Sequence, residues 1–353
     1  MTDYYIVFLI PIILSYLLTP LAKYTAKKIG AIDVPKDDRR VHKVPIPRLG
    51  GLAIYLATLI SMIIFLPMDK TIISIIIGGT IIVITGIIDD VKPMSARWKL
   101  FFQILSAVVL IIGDVKIEFL GNPFVRHGII NLGMLSIPVT IFWVVGITNT
   151  LNLIDGLDGL SAGVGAIAAV SLFFVAASID YIDTSMVMII CAIIAGSAFG
   201  FLPHNFNPAK IFMGDTGALF LGYMLSVVAM EGVMKSVATI TIVVPILALG
   251  LPIFDTAFAI LRRLINKRPI MEADKGHVHH RLLAKGLSQK QVVLILYMVS
   301  AIFGSAAVLM AGLKPGYGVI VMGSVLTLVF LGAARFGVIG ALDMKKKNRE
   351  KRG

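Results

Sequence analysis

Charged residues and cysteines are scarce in this chain of 353 residues. Asp, Glu, Lys and Arg make up 15% of it, whereas they make up about a quarter of a typical soluble domain. Hydrophobic residues reach 58%, more than a soluble fold of this length can bury, so a large soluble domain is excluded and an integral membrane protein is predicted. The single cysteine, Cys191, lies in an apolar run, which excludes a disulfide framework and a thiol metal cluster.

Apolar runs of spanning length recur along the chain. A helix needs about 20 apolar residues to cross a bilayer, and the runs predict about eleven transmembrane helices in an all-α polytopic membrane protein. They cover 4–22, 50–67, 71–88, 99–113, 134–150, 160–178, 185–202, 217–231, 237–261, 291–312 and 317–340. In the connection 114–131, apolar and polar residues alternate before Gly121, which predicts a short β-hairpin on the outer face.

The distribution of basic residues predicts the orientation. The first run follows Asp3 and lacks a basic leader, so it is expected to remain as a helix with its N-terminus outside. With that orientation 26 of the 32 Lys and Arg residues fall on the cytoplasmic side, including those of the C-terminal tail. The net charge of +12 is therefore explained by basic residues in the cytoplasmic connections, and nucleic acid is not an expected partner. Residues 1–342 are predicted to form one transmembrane domain in the cytoplasmic membrane, and 343–353 a basic cytoplasmic tail attracted to membrane lipids.

Polar motifs are concentrated in the inner connections, which indicates that function faces the cytoplasm. These connections are 23–49, 89–99, 150–160, 203–216 and 262–290. The pair Asp89-Asp90 ends the third predicted span. Two adjacent carboxylates at a membrane border favour a bound cation or a proton-transfer task, although a solvated helix end has the same pattern.

The fifth span is followed by polar residues at a spacing of three. Asn149, Asn152, Asp155 and Asp158 are expected to follow a slowly drifting face of one helix, where they serve a ligand or merely cap the helix end. Glycines follow both acids, so the backbone can approach a ligand closely.

A further acid opens the eighth span. Asp215 lies between Gly214 and Gly217 at a helix start, where a carboxylate and backbone N–H groups suit a metal ion and phosphate oxygens. Phe212 either presents its ring to a base or packs in the core.

The segment from His277 to Arg281 contains three histidines. Zinc is disfavoured because no thiol accompanies them, and the basic surroundings favour binding of a diphosphate. Asp255, on the preceding span, is expected to pair with a basic residue of the inner side, and Ser288 with Gln291 predicts a capping box at the start of the tenth span. Clustered carboxylates beside basic residues indicate a divalent cation that holds a phosphorylated substrate, with Mg²⁺ favoured over Zn²⁺ by the oxygen ligands.

Four motifs together resemble a known family. They are Asp89-Asp90, Asn152-Leu-Ile-Asp155-Gly-Leu-Asp158-Gly159, Phe212-Met-Gly-Asp215 and His277-Val-His279-His280-Arg281. They look like those of the polyprenyl-phosphate N-acetylhexosamine-1-phosphate transferases. The resemblance implies transfer of a sugar 1-phosphate from a UDP-N-acetylhexosamine to a polyprenyl phosphate, with Mg²⁺ or, as a substitute, Mn²⁺.

The resemblance also implies roles for individual residues. Asp89 or Asp90 would act on the lipid phosphate, and Asp215 would ligate the metal with Asn152 and Asp155 close to it and to the nucleotide. The positions expected around the uridine diphosphate are Lys43, Asn205, Phe212 and Asp158. Those expected around the pyrophosphate and sugar are His277, His279, His280 and Arg281.

The form of the histidine motif favours one branch of this family. His-x-His-His-Arg and eleven predicted spans resemble the branch that uses UDP-GlcNAc and undecaprenyl phosphate to begin teichoic acid, O-antigen or other surface polymers. The alternative branch transfers phospho-MurNAc-pentapeptide in peptidoglycan synthesis. A secondary transporter is a rival from another class, but its polar residues would lie at mid-membrane in repeated halves. The sequence leaves open whether the protein is a homodimer.

Overall fold

Helices dominate the fold, as the apolar runs predict. A computed structural model describes residues 3–34, 44–122, 128–179, 183–234, 243–265 and 276–312, together with 323, 324 and 327. The helices are α1 (Tyr4–Ile29), α2 (Gly51–Phe65), α3 (Lys70–Val91), α4 (Ala96–Ile112), α5 (Ser136–Ile154), α6 (Leu160–Ala177), α7 (Ser185–Asn205), α8 (Gly214–Ala229), α9 (Val243–Ala248), α10 (Gly250–Ile265), α11 (Val278–Ala284) and α12 (Gln289–Gly312). A 3₁₀ turn, Gly133–Leu135, precedes α5, and a π-helical turn, Met230–Met234, follows α8.

Two short strand pairs accompany the helices. β1 (Ile32–Asp33) pairs antiparallel with β2 (Ile46–Pro47) between α1 and α2. β3 (Phe119–Asn122) pairs antiparallel with β4 (Gly128–Asn131), with Phe119 opposite Asn131. The predicted hairpin in the connection 114–131 is therefore confirmed, whereas its placement on the outer face stays a prediction.

Six of the described helices are long and apolar enough to cross a bilayer. They are α1, α3, α5 with its preceding turn, α6, α7 and α12. α2 is apolar but has only 15 residues. The protein is therefore a multi-pass membrane protein, while eleven spans and an outer N-terminus stay predictions. The predicted span 317–340, except for residues 323, 324 and 327, and the tail 343–353 lie outside the described residues.

The ninth predicted span is not one helix. The described part of 237–261 forms α9 and the start of α10, which are separated at Leu249. Pro252 has no N–H to donate to the carbonyl of Ala248, so the hydrogen-bond ladder is interrupted between α9 and α10. α10 buries Asp255, so this face of the helix is turned toward the protein.

Helix α8 is enclosed by its neighbours. α2, α3, α5, α6 and α7 all contact it, and along its length only Asp215 escapes full burial. A Cβ on Gly86 of α3 would collide with the backbone of Thr216, and one on Gly51 of α2 would collide with that of Gly217. These close approaches hold the first turn of α8 between the ends of α2 and α3, where the candidate site lies.

Candidate active site

A cavity of about 630 Å³ opens where the inner connections meet. This volume is in the range of small-molecule sites. Seven of the residues predicted for the site line it: Asn152, Asp155, Asp158, Asn205, Phe212, Asp215 and His280. Connections far apart in sequence therefore converge on one cavity, as the placement of polar motifs on a single side of the membrane predicts.

Asp90 lies deep beside this cavity and caps helix α8. Its Oδ2 accepts hydrogen bonds from the Thr216 N–H at 3.0 Å and the Thr216 hydroxyl at 2.7 Å. Its Oδ1 accepts from the Asp215 N–H at 3.0 Å and lies 3.0 Å from Nε of Arg48. A Cβ on Gly214, whose φ is +71°, would collide with this carboxylate, so only glycine suits that position. Both carboxylate oxygens of Asp90 are thus engaged in hydrogen bonds that hold the start of α8.

Asp89, its neighbour in sequence, has a different environment. Oδ1 accepts from the Met94 N–H at 2.7 Å, and Oδ2 lies 2.8 Å from the ammonium of Lys99. The same ammonium lies 2.7 Å from Oδ2 of Asp215. Lys99 therefore joins the acid that ends α3 to the acid that begins α8.

Arg48 and Lys99 were missed as site residues by the sequence reasoning. Arg48 contacts both Asp90 and Asp215, the latter at 3.5 Å, and it lines the cavity. In the sequence, both cations fall in predicted inner connections, where they were counted only toward the positive-inside bias, although Lys99 lies in α4. The available signals were that Arg48 directly precedes the turn into α2 and that Lys99 lies ten residues after Asp89.

The spacing predicted that Asn149, Asn152, Asp155 and Asp158 lie on one helix, but only the two asparagines lie in α5. α5 ends at Ile154, and Asp155 and Asp158 lie in the turn that leads to α6. The turn bonds end the helix: the Asp155 N–H donates to the Asn152 carbonyl, and Gly159 adopts a φ of +78°. Asn149 turns away from the cavity and exchanges hydrogen bonds with Gln103. Asn152, Asp155 and Asp158 all reach the cavity, but they do so because the chain turns after α5, not because they share one face of a helix.

Asp155 carries a perturbed carboxyl group. Burial, followed by repulsion from Asp215 and Asp90, raises its pKa to about 8, against the opposing effect of Arg48. A carboxyl that ionises so reluctantly among other carboxylates gains from a nearby cation.

Asn205 and Asp158 form hydrogen bonds that connect the loops of the cavity wall. The Asn205 side chain accepts from the Gly159 N–H and donates to the Ile211 carbonyl, each at 3.0 Å. Asp158 Oδ2 accepts from the Asn207 side chain at 2.9 Å and the Ala209 N–H at 3.0 Å. Both residues fix loop backbone as well as facing the cavity.

Phe212 is placed by the strand that precedes α2. Its N–H donates to the Pro47 carbonyl at 2.8 Å, and its carbonyl accepts from the Gly50 N–H at 2.9 Å. This pairing brings Arg48 beside the segment that leads to Asp215. Phe212 lines the cavity and is half-buried.

The histidines do not all face the cavity. His280 lines it, whereas His277 and His279 are buried. His277 Nδ1 lies 2.8 Å from Asp255 Oδ2, so the partner of Asp255 is an imidazole of the next connection. Arg281 donates from Nε to the Gly276 carbonyl at 2.9 Å. The predicted capping box is confirmed, since the Ser288 N–H donates to Gln291 Oε1 and the Gln291 N–H to Ser288 Oγ.

His279 packs against the turn after α5. A Cβ on Gly156 would collide with its imidazole. Burial, and secondarily the neighbouring His280, lower the pKa of His279 to about 4, so the ring is neutral at physiological pH. Lys43, the remaining predicted residue, lies outside the described residues.

The oxygen donors suit a hard divalent cation. Asn152, Asp155 and Asp215 line the same cavity, and the reluctant ionisation of Asp155 fits a site that takes up positive charge. Within the described ranges, no three side chains of His, Cys, Asp or Glu are grouped as a metal site. Mg²⁺ does not require such a cage, because it usually keeps several waters and binds through one or two carboxylates and substrate phosphates.

The chain is similar in sequence to known transferases. The family model described as glycosyl transferase family 4 matches residues 72–233. A Bacillus subtilis protein named "Probable undecaprenyl-phosphate N-acetylglucosaminyl 1-phosphate transferase" is 41% identical over 86% of this chain and 84% of its own length. A decaprenyl-phosphate N-acetylglucosaminephosphotransferase of Mycobacterium tuberculosis is 34% identical over 84% of this chain and 80% of its own. A phospho-N-acetylmuramoyl-pentapeptide-transferase of Borreliella burgdorferi is 29% identical over 85% and 91%.

Proposed function

Because this chain belongs to glycosyl transferase family 4, we propose that it transfers GlcNAc 1-phosphate from UDP-GlcNAc to undecaprenyl phosphate and releases UMP. The observation that carries the proposal is the 41% identity to the Bacillus subtilis relative over most of both chains. The product would be the lipid-linked first sugar of a cell-surface polymer such as teichoic acid or O-antigen. Family membership removes a secondary transporter from consideration.

The proposed reaction is a direct phosphoryl transfer. An oxygen of the lipid phosphate attacks the sugar-bearing phosphorus of UDP-GlcNAc. The bond from that phosphorus to the bridging oxygen breaks, and UMP leaves with the bridging oxygen. Such a transfer needs positioning and charge neutralisation more than covalent catalysis, and the carboxylates and cations at the cavity supply both.

Asp89 is the proposed acceptor of the lipid phosphate proton. Of the two acids that end α3, it has fewer hydrogen bonds, and it shares the Lys99 ammonium with Asp215. That ammonium suits the phosphate oxygens of the two substrates. Asp90 acts by holding α8, and thus Asp215, in place.

The other cavity residues would bind the nucleotide sugar. Phe212 offers a ring to the uracil, and Asp158 and Asn205 line the same cavity. The family resemblance implies that Lys43 also serves the nucleotide and that the segment from His277 to Arg281 serves the pyrophosphate and sugar. Asp215, Asn152 and Asp155 would hold a Mg²⁺ ion, which when bound neutralises charge on the diphosphate. We place the cavity on the cytoplasmic side of the cell membrane, because the basic residues favour that side and a UDP-sugar is soluble.

The test measures UMP release by the purified protein with Mg²⁺ and undecaprenyl phosphate. UDP-GlcNAc, UDP-GalNAc and UDP-MurNAc-pentapeptide are compared in parallel. Release with UDP-GlcNAc that requires both lipid and metal is the expected result. Turnover of the pentapeptide substrate alone would instead assign the chain to the branch of the Borreliella burgdorferi relative, and no release with any of the three would overturn the proposal.

A further inference from the structure

Asp255 is a buried acid whose two oxygens both bind one segment. It lies in the first half of α10 and is 5% exposed. Oδ2 is 2.8 Å from Nδ1 of His277, and Oδ1 accepts from the Val278 N–H at 2.9 Å. Both partners belong to the stretch Gly276–Ala284, here termed the histidine segment. A carboxylate placed in this way acts as an anchor for that segment.

The anchor determines the state and position of His277. A carboxylate only accepts hydrogen bonds, so the ring nitrogen that faces it carries the proton, and the tautomer of a neutral His277 is thereby set. His277 is the N-cap of α11 but makes no side-chain cap of its own. The Val278 N–H, which has no partner within α11, is instead satisfied by Asp255 from another helix.

α10 contacts the histidine segment a second time, two turns further along. A Cβ on Gly276 would collide with the guanidinium of Arg262, so the backbone of Gly276 lies directly against that side chain. The Gly276 carbonyl also accepts from Arg281 Nε. The start of the segment is thus fixed both by its contact with Arg262 and by the two bonds to Asp255.

The far side of the segment faces the cavity. His279 packs against Gly156 in the turn that carries Asp155 and Asp158, and His280 lines the cavity itself. Among the described residues, neither ring nitrogen of His279 has a hydrogen-bond partner, so that contact provides packing but no directional bond. α11 itself packs against α12, so α12 supports the body of the segment, whereas the directional bonds that fix its start come from α10.

We propose that Asp255 is a positioning residue that holds the histidine segment against the turn 155–159 and so sets the place of His279 and His280 in the cavity. The anchoring stands on geometry alone, whereas its effect on turnover rests on the proposed function. Asp255 itself touches neither the cavity nor a reacting atom.

The first measurement is hydrogen exchange of the full-length protein in detergent. Asp255→Ala and the milder Asp255→Asn are compared with Thr256→Val, a nearly isosteric change at the next position of α10. We expect faster exchange of the amides in 276–284 in both Asp255 variants, with that of α7, which packs on α1 and α6, unchanged. Unchanged exchange in 276–284 in both variants, or a general increase that includes α7, would overturn the anchor.

The second measurement separates the two substrates kinetically. Asp255→Ala should raise KM for UDP-GlcNAc by about tenfold or more and leave KM for undecaprenyl phosphate nearly unchanged, because the variant loses both the charge-assisted bond to His277 and the bond to the Val278 N–H. His277→Ala should raise the same KM, and the double variant should be no more impaired than the more impaired single variant, because both changes remove the bond between Asp255 and His277. Multiplying effects, or equal changes in both KM values, would contradict a role exerted through His277.

The two proposals fail in distinguishable ways. If the wild-type protein releases no UMP from UDP-GlcNAc, the proposed function is wrong, and hydrogen exchange still decides whether Asp255 anchors the segment. If the wild type turns over and Asp255→Ala matches Thr256→Val in both exchange and KM, the positioning role is wrong and the proposed function stands.

Discussion

The carboxylate of Asp90 accepts hydrogen bonds from both the backbone N–H and the hydroxyl of Thr216, and thereby links the end of α3 to the first turn of α8. A helix start leaves backbone N–H groups without partners, and a negative charge is favourable there. Here the cap comes from another helix. Because Asp215 is the second residue of α8, this one contact also fixes an acid of the cavity.

Asp90→Asn is expected both to destabilise the protein and to slow UMP release. The change removes the negative charge that faces Arg48 and one of the acceptors of the α8 cap, and the loss of a buried charge-assisted interaction costs about 2 to 3 kcal/mol. Thermal unfolding in detergent, followed beside UMP release, checks this. A variant that keeps the wild-type Tm would contradict the anchoring role.

Asp89→Asn is expected to separate rate from stability. Lys99 keeps its contact with Asp215 in this variant, and Asp89 does not cap α8, so the Tm should fall less than in Asp90→Asn. Loss of a proton acceptor should lower kcat by about 10² to 10⁴-fold. The same unfolding and UMP assays serve as the measurement, and near-normal turnover would remove Asp89 from the mechanism.

Asp215→Ala is expected to abolish turnover and leave a folded protein. Lys99 and Arg48 retain Asp89 and Asp90 as partners, so no buried cation is stranded. The variant should also lose any rise in Tm that Mg²⁺ gives the wild type. Asp3→Ala, at an exposed position before α1 where the side chain makes no cap hydrogen bond and is away from the cavity lining, is the matched control. A Mg²⁺ response preserved in Asp215→Ala would argue against ligation by Asp215.

Gly156→Ala is expected to weaken binding of the nucleotide sugar. Its methyl group would collide with the His279 ring and displace the histidine segment, so KM for UDP-GlcNAc should rise by about tenfold or more. Gly146→Ala, in α5, is the control: nothing lies near its new methyl group, and alanine favours a helix by about 0.5 to 1 kcal/mol. Equal KM values in the two variants would show that the contact is dispensable.

The stability of the protein should fall as the pH is lowered, in part through His279. Its pKa is about 4 in the folded protein and 6.5 as an exposed histidine. Between these values the unfolded chain takes up a proton that the folded chain does not, so acid favours unfolding by at most about 3 kcal/mol from this group. The Tm of His279→Gln should therefore fall less than that of the wild type when the pH is lowered from about 7 to about 4.5. Parallel curves for the two proteins would contradict the buried neutral state.

Much of the fold was predictable from composition and hydropathy. The membrane class follows from 58% hydrophobic residues and six clearly apolar helices, and the hairpin and the capping box follow from local alternation and spacing. The family resemblance read from four short motifs is confirmed by relatives that align over most of the chain. Local pattern was less reliable where the chain turns. It extended a helical face beyond Ile154 and made one span of α9 and α10.

The sequence by itself determined that this is a membrane protein with acids and histidines in the connections between its helices, because bilayer length and residue chemistry act locally along the chain. Only the tertiary structure decided which of those residues meet. Arg48 and Lys99 became partners of the acids, Asp90 became a cap rather than a cavity residue, and Asp255 became the holder of His277. These pairings join residues between 10 and 167 positions apart, and such contacts are set by how helices pack around α8, which a local pattern does not encode.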